Sequence, residues 1–300
     1  MSISLIFRWI SFVAVCLVVA IHLPIGDGNI RAWIDRWIVH GVCQLAVPWF
    51  FFASGFWLLG RNIEGFRFTP KWYQILVVKR FRTLMVPFFM ANVLWFVPFA
   101  VCNWLGMRYF GEPQRVSFSV TGILEGVGLF FPHAPVLKPT WFLRSLFLAI
   151  VASPFLLLMS RHSRMAALML VGGILFLWEF AIPSQCTYWH TVFQWGFSLL
   201  GFACFAAGLA VRFWWRTSWV EVGAASGNML TRNTFGVFLL HVPILLLFSY
   251  PLRAAGCWSW AGTALGFCVL WPVMIVLSVL ASECLRRNLP VFARLLLGGR

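Results

Sequence analysis

Apolar residues gather in runs of about 20 along this chain, the length that carries an α-helix through a bilayer. The runs predict membrane-spanning helices near 3–25, 37–59, 83–103, 140–160, 165–182, 191–211, 231–250 and 259–282. Segments 116–132 and 218–230 are apolar but too short or too polar to assign. The pattern therefore predicts 8 confident spans and up to 10. The expected fold class is all-α, a polytopic transmembrane helix bundle forming a single domain over residues 1–300 with no fused soluble domain. The run from Ile3 to Ile25 lacks an A-x-A-like cleavage site and is long enough to span, so it predicts a retained first helix rather than a signal peptide. Between the third and fourth runs, Pro113, Pro132, Pro135 and Pro139 interrupt helical structure repeatedly.

Composition excludes a soluble domain. Charged residues make up 10% of the 300 and hydrophobic ones 61%, where soluble domains carry about a quarter charged. Mean hydropathy is +0.87. The 18 Trp and 32 Phe suit aromatic belts at two interfaces. A net charge of +15 raises nucleic-acid binding, but the placement of the cations points elsewhere. Arg61, Arg67, Lys71, Lys79, Arg80 and Arg82 cluster in 60–82 against Glu64 alone. Arg161 and Arg164, Arg212 and Arg216, and Arg286, Arg287, Arg294 and Arg300 follow the fourth, sixth and last runs. All four blocks fall on one side if the N-terminus is cytoplasmic, and an even span count puts the C-terminus there too. No nucleic-acid partner is expected. The eight Cys form no CxxC and no Cys/His set with zinc spacing, so no metal site is expected. Cys186 and Cys257 fall in outer loops where a disulfide can form; otherwise the eight read as small hydrophobes.

Ionisable groups inside apolar runs cost several kcal/mol unless paired or hydrated, which makes each a functional candidate. His22 closes VAVCLVVAIH near the outer end of helix 1, and imidazole serves as base, acid or nucleophile. An interfacial His with no role is the bland alternative. His40 opens the second run at a comparable level, and Arg144 sits one turn into the fourth. A guanidinium there suits an anion or a carbonyl oxygen, or it snorkels to the interface. His241, in FGVFLLHVPILLLF, falls near mid-membrane with Pro243 beside it, so a kink and a cavity are expected. A purely structural His is equally compatible. In VPWFFFASGFWLL, Pro48 is expected to break the second helix mid-span; Ser54 and Gly55 leave a gap that favours close helix packing, or a narrow acyl passage. The inner loop ends in VVKRFRTLMVPFF, where Lys79, Arg80 and Arg82 either hold the topology or bind a phosphorylated cytoplasmic ligand.

The order of these strings resembles the acyltransferase-3 family of membrane O-acyltransferases. VVAIH is similar to that family's first helix closing on a His, VPWFFFASGF to its VPxFFxxSGF segment, KRFRTLMVPFF to its basic run, and PTWFLRSLF to its WFLxxL segment. FGVFLLHVPIL resembles the late helix with a His, and NLPVFARLLLGGR the P…LLTGGR ending. The resemblance implies a bacterial inner-membrane enzyme of about ten helices. It would take an acyl group, usually acetyl, from cytoplasmic acetyl-CoA to a hydroxyl on an extracytoplasmic glycan. His22 aligns with the family's essential His, and KRFR with its RxxR-type motif. Two departures stand out. Where the family has an Arg eleven residues before the His, this chain has Ser11, and Arg8 lies one turn deeper on nearly the same face. In the basic run, Lys79 and Arg82 carry the three-residue offset that two Arg carry elsewhere.

The expected reaction places the phosphates of acyl-CoA on Arg80, Arg82 and Lys79, with Arg8 as a further contact, and the pantetheine arm past Ser54 and Gly55. His22 acts as base or carries the acyl group, both roles being open, while Arg144 and His241 stabilise the oxyanion. Acyl-CoA is a substrate here, and no bound cofactor is expected. The partners are acyl-CoA, a glycan or lipid-linked sugar, and the bilayer. Rival readings are a transporter or flippase-like carrier of an envelope precursor and a non-catalytic partner in envelope assembly. Few acidic residues and no inverted repeat speak against transport.

Overall fold

The computed structural model describes residues 3–23, 34–39, 41–59, 68–104, 119–126, 135–162, 198–214, 228–254, 256 and 258–298. Their elements in chain order are α1 (Ile3–Ile21), a π turn (Ile34–Val39), a 3-10 turn (Val42–Leu45), α2 (Ala46–Phe56), α3 (Pro70–Arg80), a second π turn (Phe81–Met85) and α4 (Val86–Trp104). These are followed by α5 (Val120–Gly126), a 3-10 turn (Lys138–Thr140), α6 (Trp141–Val151), α7 (Ser153–His162) and α8 (Leu199–Trp214). The last are α9 (Met229–Arg232), α10 (Thr234–Ala254), α11 (Trp258–Ala261), α12 (Ala264–Asn288) and α13 (Pro290–Leu296). No strand occurs among the described residues. The helical stretches Ile3–Ile21, Arg36–Phe56, Pro70–Pro98 and Ala264–Asn288 are long and apolar enough to cross a membrane, and Leu200–Phe213 and Thr234–Ser249 are shorter apolar helices. The predicted span 165–182 and the start of 191–211 lie outside the described residues.

Contacts group the chain into two compact units, Met1–Phe50 with Thr217–Gly298, and Phe51–Arg216. In the first, α1, α10 and α12 pack on one another. A side chain at Gly236 on α10 would run into the Ser282 side chain of α12, so the glycine leaves room for that hydroxyl between the two helices. The Trp271 indole donates to the Cys16 carbonyl at 2.7 Å and ties α12 to α1. Polar groups of α12 point inward: Ser278 and Ser282 are buried, whereas Val269, Val273, Val276 and Leu280 form an exposed apolar stripe. That inversion of the soluble pattern fits a helix that faces lipid. Asn233, between α9 and α10, is fully buried and saturated. Its Oδ1 accepts from Ser282 at 2.7 Å and Arg286 at 3.2 Å, and its Nδ2 donates to the Met229 carbonyl at 2.8 Å and to Glu283 at 3.3 Å. Arg232 reaches both Glu283 oxygens, at 2.9 and 2.8 Å.

In the second unit, α3, its π turn and α4 form a continuous run from Pro70 to Trp104. The C-terminal half of α2 crosses α8 at two glycines: a side chain at Gly55 would meet the Phe205 carbonyl, and one at Gly208 the Phe52 carbonyl. Gly201 leaves room for the Phe51 ring.

Four predicted boundaries differ. The stretch predicted as one helix over 140–160 is two, parted at Ala152, because Pro154 in the first turn of α7 has no N–H to continue the ladder. Pro48, expected to break a helix in mid-span, lies in the first turn of α2, where an N–H has no intrahelical partner anyway. The predicted inner loop 60–82 ends as helix: Thr69 caps α3 by accepting from the Trp72 N–H at 3.1 Å, with Pro70 at the first position. The last long helix starts five residues late and runs to Asn288, because the Thr263 hydroxyl caps it through the Gly266 N–H.

Candidate functional site

Helix α1 ends at Ile21, and its last hydrogen bonds tighten to three-residue spacing, His22 N–H to the Val19 carbonyl at 3.2 Å and Leu23 N–H to Ala20 at 3.3 Å. That turn presents the half-buried His22 ring to α10, where His241 lies 5.2 Å away between ring centroids, at an interplanar angle of 43°. Two imidazoles that sequence placed at different depths thus meet. His241 is the eighth residue of a 21-residue helix, so α10 continues well past the level at which α1 stops. His22 therefore lies just past the end of α1, beside the first half of α10.

His241 is 1% exposed. Its Nδ1 is 3.1 Å from the Val237 carbonyl oxygen. A carbonyl can only accept, so Nδ1 carries the hydrogen and, in the neutral ring, Nε2 holds the lone pair. That Nε2 is buried and has no hydrogen-bond partner among the described residues. An unsatisfied buried acceptor costs about 1–3 kcal/mol, and native proteins keep few of them. The arrangement offers a proton acceptor beside His22. An oxyanion needs a donated hydrogen, which neutral His241 does not present on that side.

Ser11, at the position where the resembling family has Arg, accepts the Trp49 indole N–H at 3.1 Å, and Phe7 packs on the same indole at 4.9 Å. The space along this face of α1 is filled by an aromatic ring. Arg8 is exposed in the N-terminal part of α1. Fourteen residues of helix rise separate it from His22, about 21 Å.

The second unit holds the remaining candidates. Arg144 is 4% exposed and lies 6.0 Å above the Phe88 ring, so it is packed inside the protein and does not snorkel. Sequence reasoning missed what holds its segment. Asn92 of α4, fully buried, accepts from the Leu137 N–H at 3.0 Å and donates to Phe88 at 2.7 Å and to the Thr140 hydroxyl at 2.9 Å. The Thr140 hydroxyl in turn donates to the Leu137 carbonyl at 2.7 Å. This network fixes the turn that launches α6 and, with it, Arg144. The one legible signal was a lone Asn inside an apolar run.

The basic run sits on helix rather than in a loop. Lys79 and Arg80 end α3, and Arg82 lies in the π turn. Such turns recur at functional sites. Lys79 and Arg82 are exposed, while Arg80 is turned partly inward with a buried Nε that lacks a partner among the described residues. Gly55 serves the α2–α8 crossing described above; Ser54 is half-exposed beside it. Arg212, read from sequence as a topology cation, is buried over the Phe56 ring at 5.4 Å. His40, Cys186 and Cys257 lie outside the described residues. Among the described residues no group of three or more His, Cys, Asp or Glu could hold a metal ion.

A family model described as an acyltransferase domain matches residues 7–226, a stretch that takes in most of α1, His22 just after it, the basic run and the Asn92-anchored turn. The chain belongs to the acyltransferase-3 family. It is 26% identical over 164 residues to the succinoglycan biosynthesis protein ExoH of Rhizobium meliloti (strain 1021), an overlap of 52% of this chain and 43% of that protein. The chain thus matches less than half the length of this curated relative. No solved structure matches.

Proposed function

We propose that this protein is an integral-membrane O-acyltransferase of the bacterial inner membrane. It moves an acyl group, acetyl in this reading, from cytoplasmic acyl-CoA to a hydroxyl of an extracytoplasmic glycan or lipid-linked sugar. The observation that carries the reading is the imidazole pair, His22 and His241, enclosed among apolar helices of an acyltransferase-family chain. The name of the succinoglycan biosynthesis relative supports a polysaccharide acceptor. Eight to ten spans with both termini in the cytoplasm fit the distribution of Lys and Arg.

In this reading Arg80, Arg82 and Lys79 hold the donor's phosphates by charge and fork geometry. Arg8, about 21 Å along α1 from His22, can touch only the far end of an extended donor. Ser54 flanks the path of the pantetheine arm. His22 takes the proton of the acceptor hydroxyl as its oxygen attacks the thioester carbonyl; the C–S bond breaks, and the proton passes to the departing thiolate. An acyl-His22 intermediate gives the same products in two steps. Arg144 supplies the positive charge for the oxyanion.

The test compares surface glycans by mass spectrometry from cells with and without the gene, and from cells carrying His22→Ala. The expected result is an acyl mass increment that requires both the gene and His22. Unchanged acylation by a well-inserted His22→Ala protein would overturn the assignment of His22.

A further inference from the structure

We infer that His241 is a positioning residue for His22: its Nε2 accepts a ring N–H of His22 during transfer and so fixes which His22 nitrogen faces the acceptor hydroxyl. The inference rests on the acyltransferase reading above. Three observations carry it. The Nδ1–H of His241 is committed to the Val237 carbonyl, which settles the tautomer. Nε2 is left buried, unpartnered among the described residues, and the ring is 1% exposed, so bulk water does not satisfy it. The His22 ring lies 5.2 Å away between centroids, so a small rotation brings an N–H onto that lone pair.

The consequence is chemical. With one His22 nitrogen donating to His241, the other holds the lone pair and points away from α10. When that nitrogen takes the hydroxyl proton, the imidazolium keeps its hydrogen bond to His241, and the charge is stabilised where it forms. The proton then leaves to the CoA sulfur, and His241 neither gains nor loses one. Phe238, at 6.3 Å from the His241 ring, packs beside it and limits where the ring can swing.

Amide side chains separate this role from a structural one. The Asn amide occupies roughly the place of a His Nδ1, and the Gln amide that of Nε2. If His241 serves only as a helix pin through Val237, Asn restores function and Gln does not. If Nε2 matters, the order reverses. The experiment uses inside-out membrane vesicles from gene-deleted cells carrying the full-length wild type, His22→Ala, or His241→Leu, →Asn or →Gln. Vesicles receive acetyl-CoA radiolabelled in the acetyl group, and label fixed in the glycan fraction is normalised to membrane-inserted protein. His241→Leu and His241→Asn should lose about 10²-fold in initial rate, the scale of a misplaced catalytic group, and His241→Gln should stay within about tenfold of wild type. Asn performing as well as Gln or better, or a near-wild-type His241→Leu, overturns the inference while a silent His22→Ala leaves the enzyme reading standing. An active His22→Ala removes the role of His22 and this inference with it, whereas wild-type vesicles that fix no more label than gene-deleted ones defeat the acyltransferase reading itself.

Discussion

Among the described residues, several polar side chains inside the helices are placed by hydrogen bonds to backbone. His241 is pinned by a carbonyl one turn back, and Asn92 makes three hydrogen bonds, one to Phe88 in its own helix and two to the turn that precedes α6. Replacing Asn92 by Leu should therefore cost more than the lost contacts, since the Leu137 N–H would stay buried without an acceptor. Each such orphan costs about 1–3 kcal/mol. The expected outcome is a lower melting temperature of the detergent-solubilised protein; an unchanged melting curve would refute the role of the network. His22 and His241 were each legible as residues the membrane should not contain. Their meeting was not, because they are far apart along the chain and depth counted along separate helices does not report where one helix stops beside another. Asn92 and Thr140 went unread because a polar group that serves a loop looks, in sequence, like one that serves packing.

At the level of elements, apolar run length located the helices, and proline and threonine chemistry set their limits. Thr69–Pro70 and Thr263 are cap signals that a hydropathy window averages away. Hence the start of α3 was missed and the basic run was read as loop. Its true place, on and just before a π turn, presents Lys79 and Arg82 to solvent and turns Arg80 inward. If these groups hold a phosphorylated donor, Arg80→Ala and Arg82→Ala should each raise KM for acetyl-CoA. A charge-assisted hydrogen bond is worth about 1.5–3 kcal/mol, which corresponds to roughly 10- to 150-fold. The turnover number should change far less, since the contact is the same in ground and transition states. Initial rates over a range of acetyl-CoA concentration make the comparison; a fall in kcat at constant KM would point to a role in the chemical step.

For the molecule as a whole, 23 Lys and Arg against 8 Asp and Glu are the basis of the proposed direction across the membrane. Not every cation serves that purpose: Arg212 and Arg144 are buried against aromatic rings, and Arg232 is paired with Glu283. The proposed orientation therefore rests mainly on the blocks at 60–82 and after Glu283. Reporter fusions at the N-terminus, after Arg67 and at the C-terminus should all register as cytoplasmic, and a fusion within 104–118 as external; a C-terminus found outside would break the even-span arrangement. The helical architecture of the described residues was thus readable from the apolar runs, while the division of contacts into two units was not, since each unit draws on stretches of similar composition.

The reciprocal crossing at Gly55 and Gly208 limits how this lineage can drift. Each glycine faces a main-chain oxygen of the other helix, an atom present whatever residue stands there. No second substitution can hollow out room for a methyl group at either position, as a smaller neighbour would in an ordinary core. Relief requires that a whole helix shift, so the two sites are closed to the stepwise exchange by which most interior positions evolve.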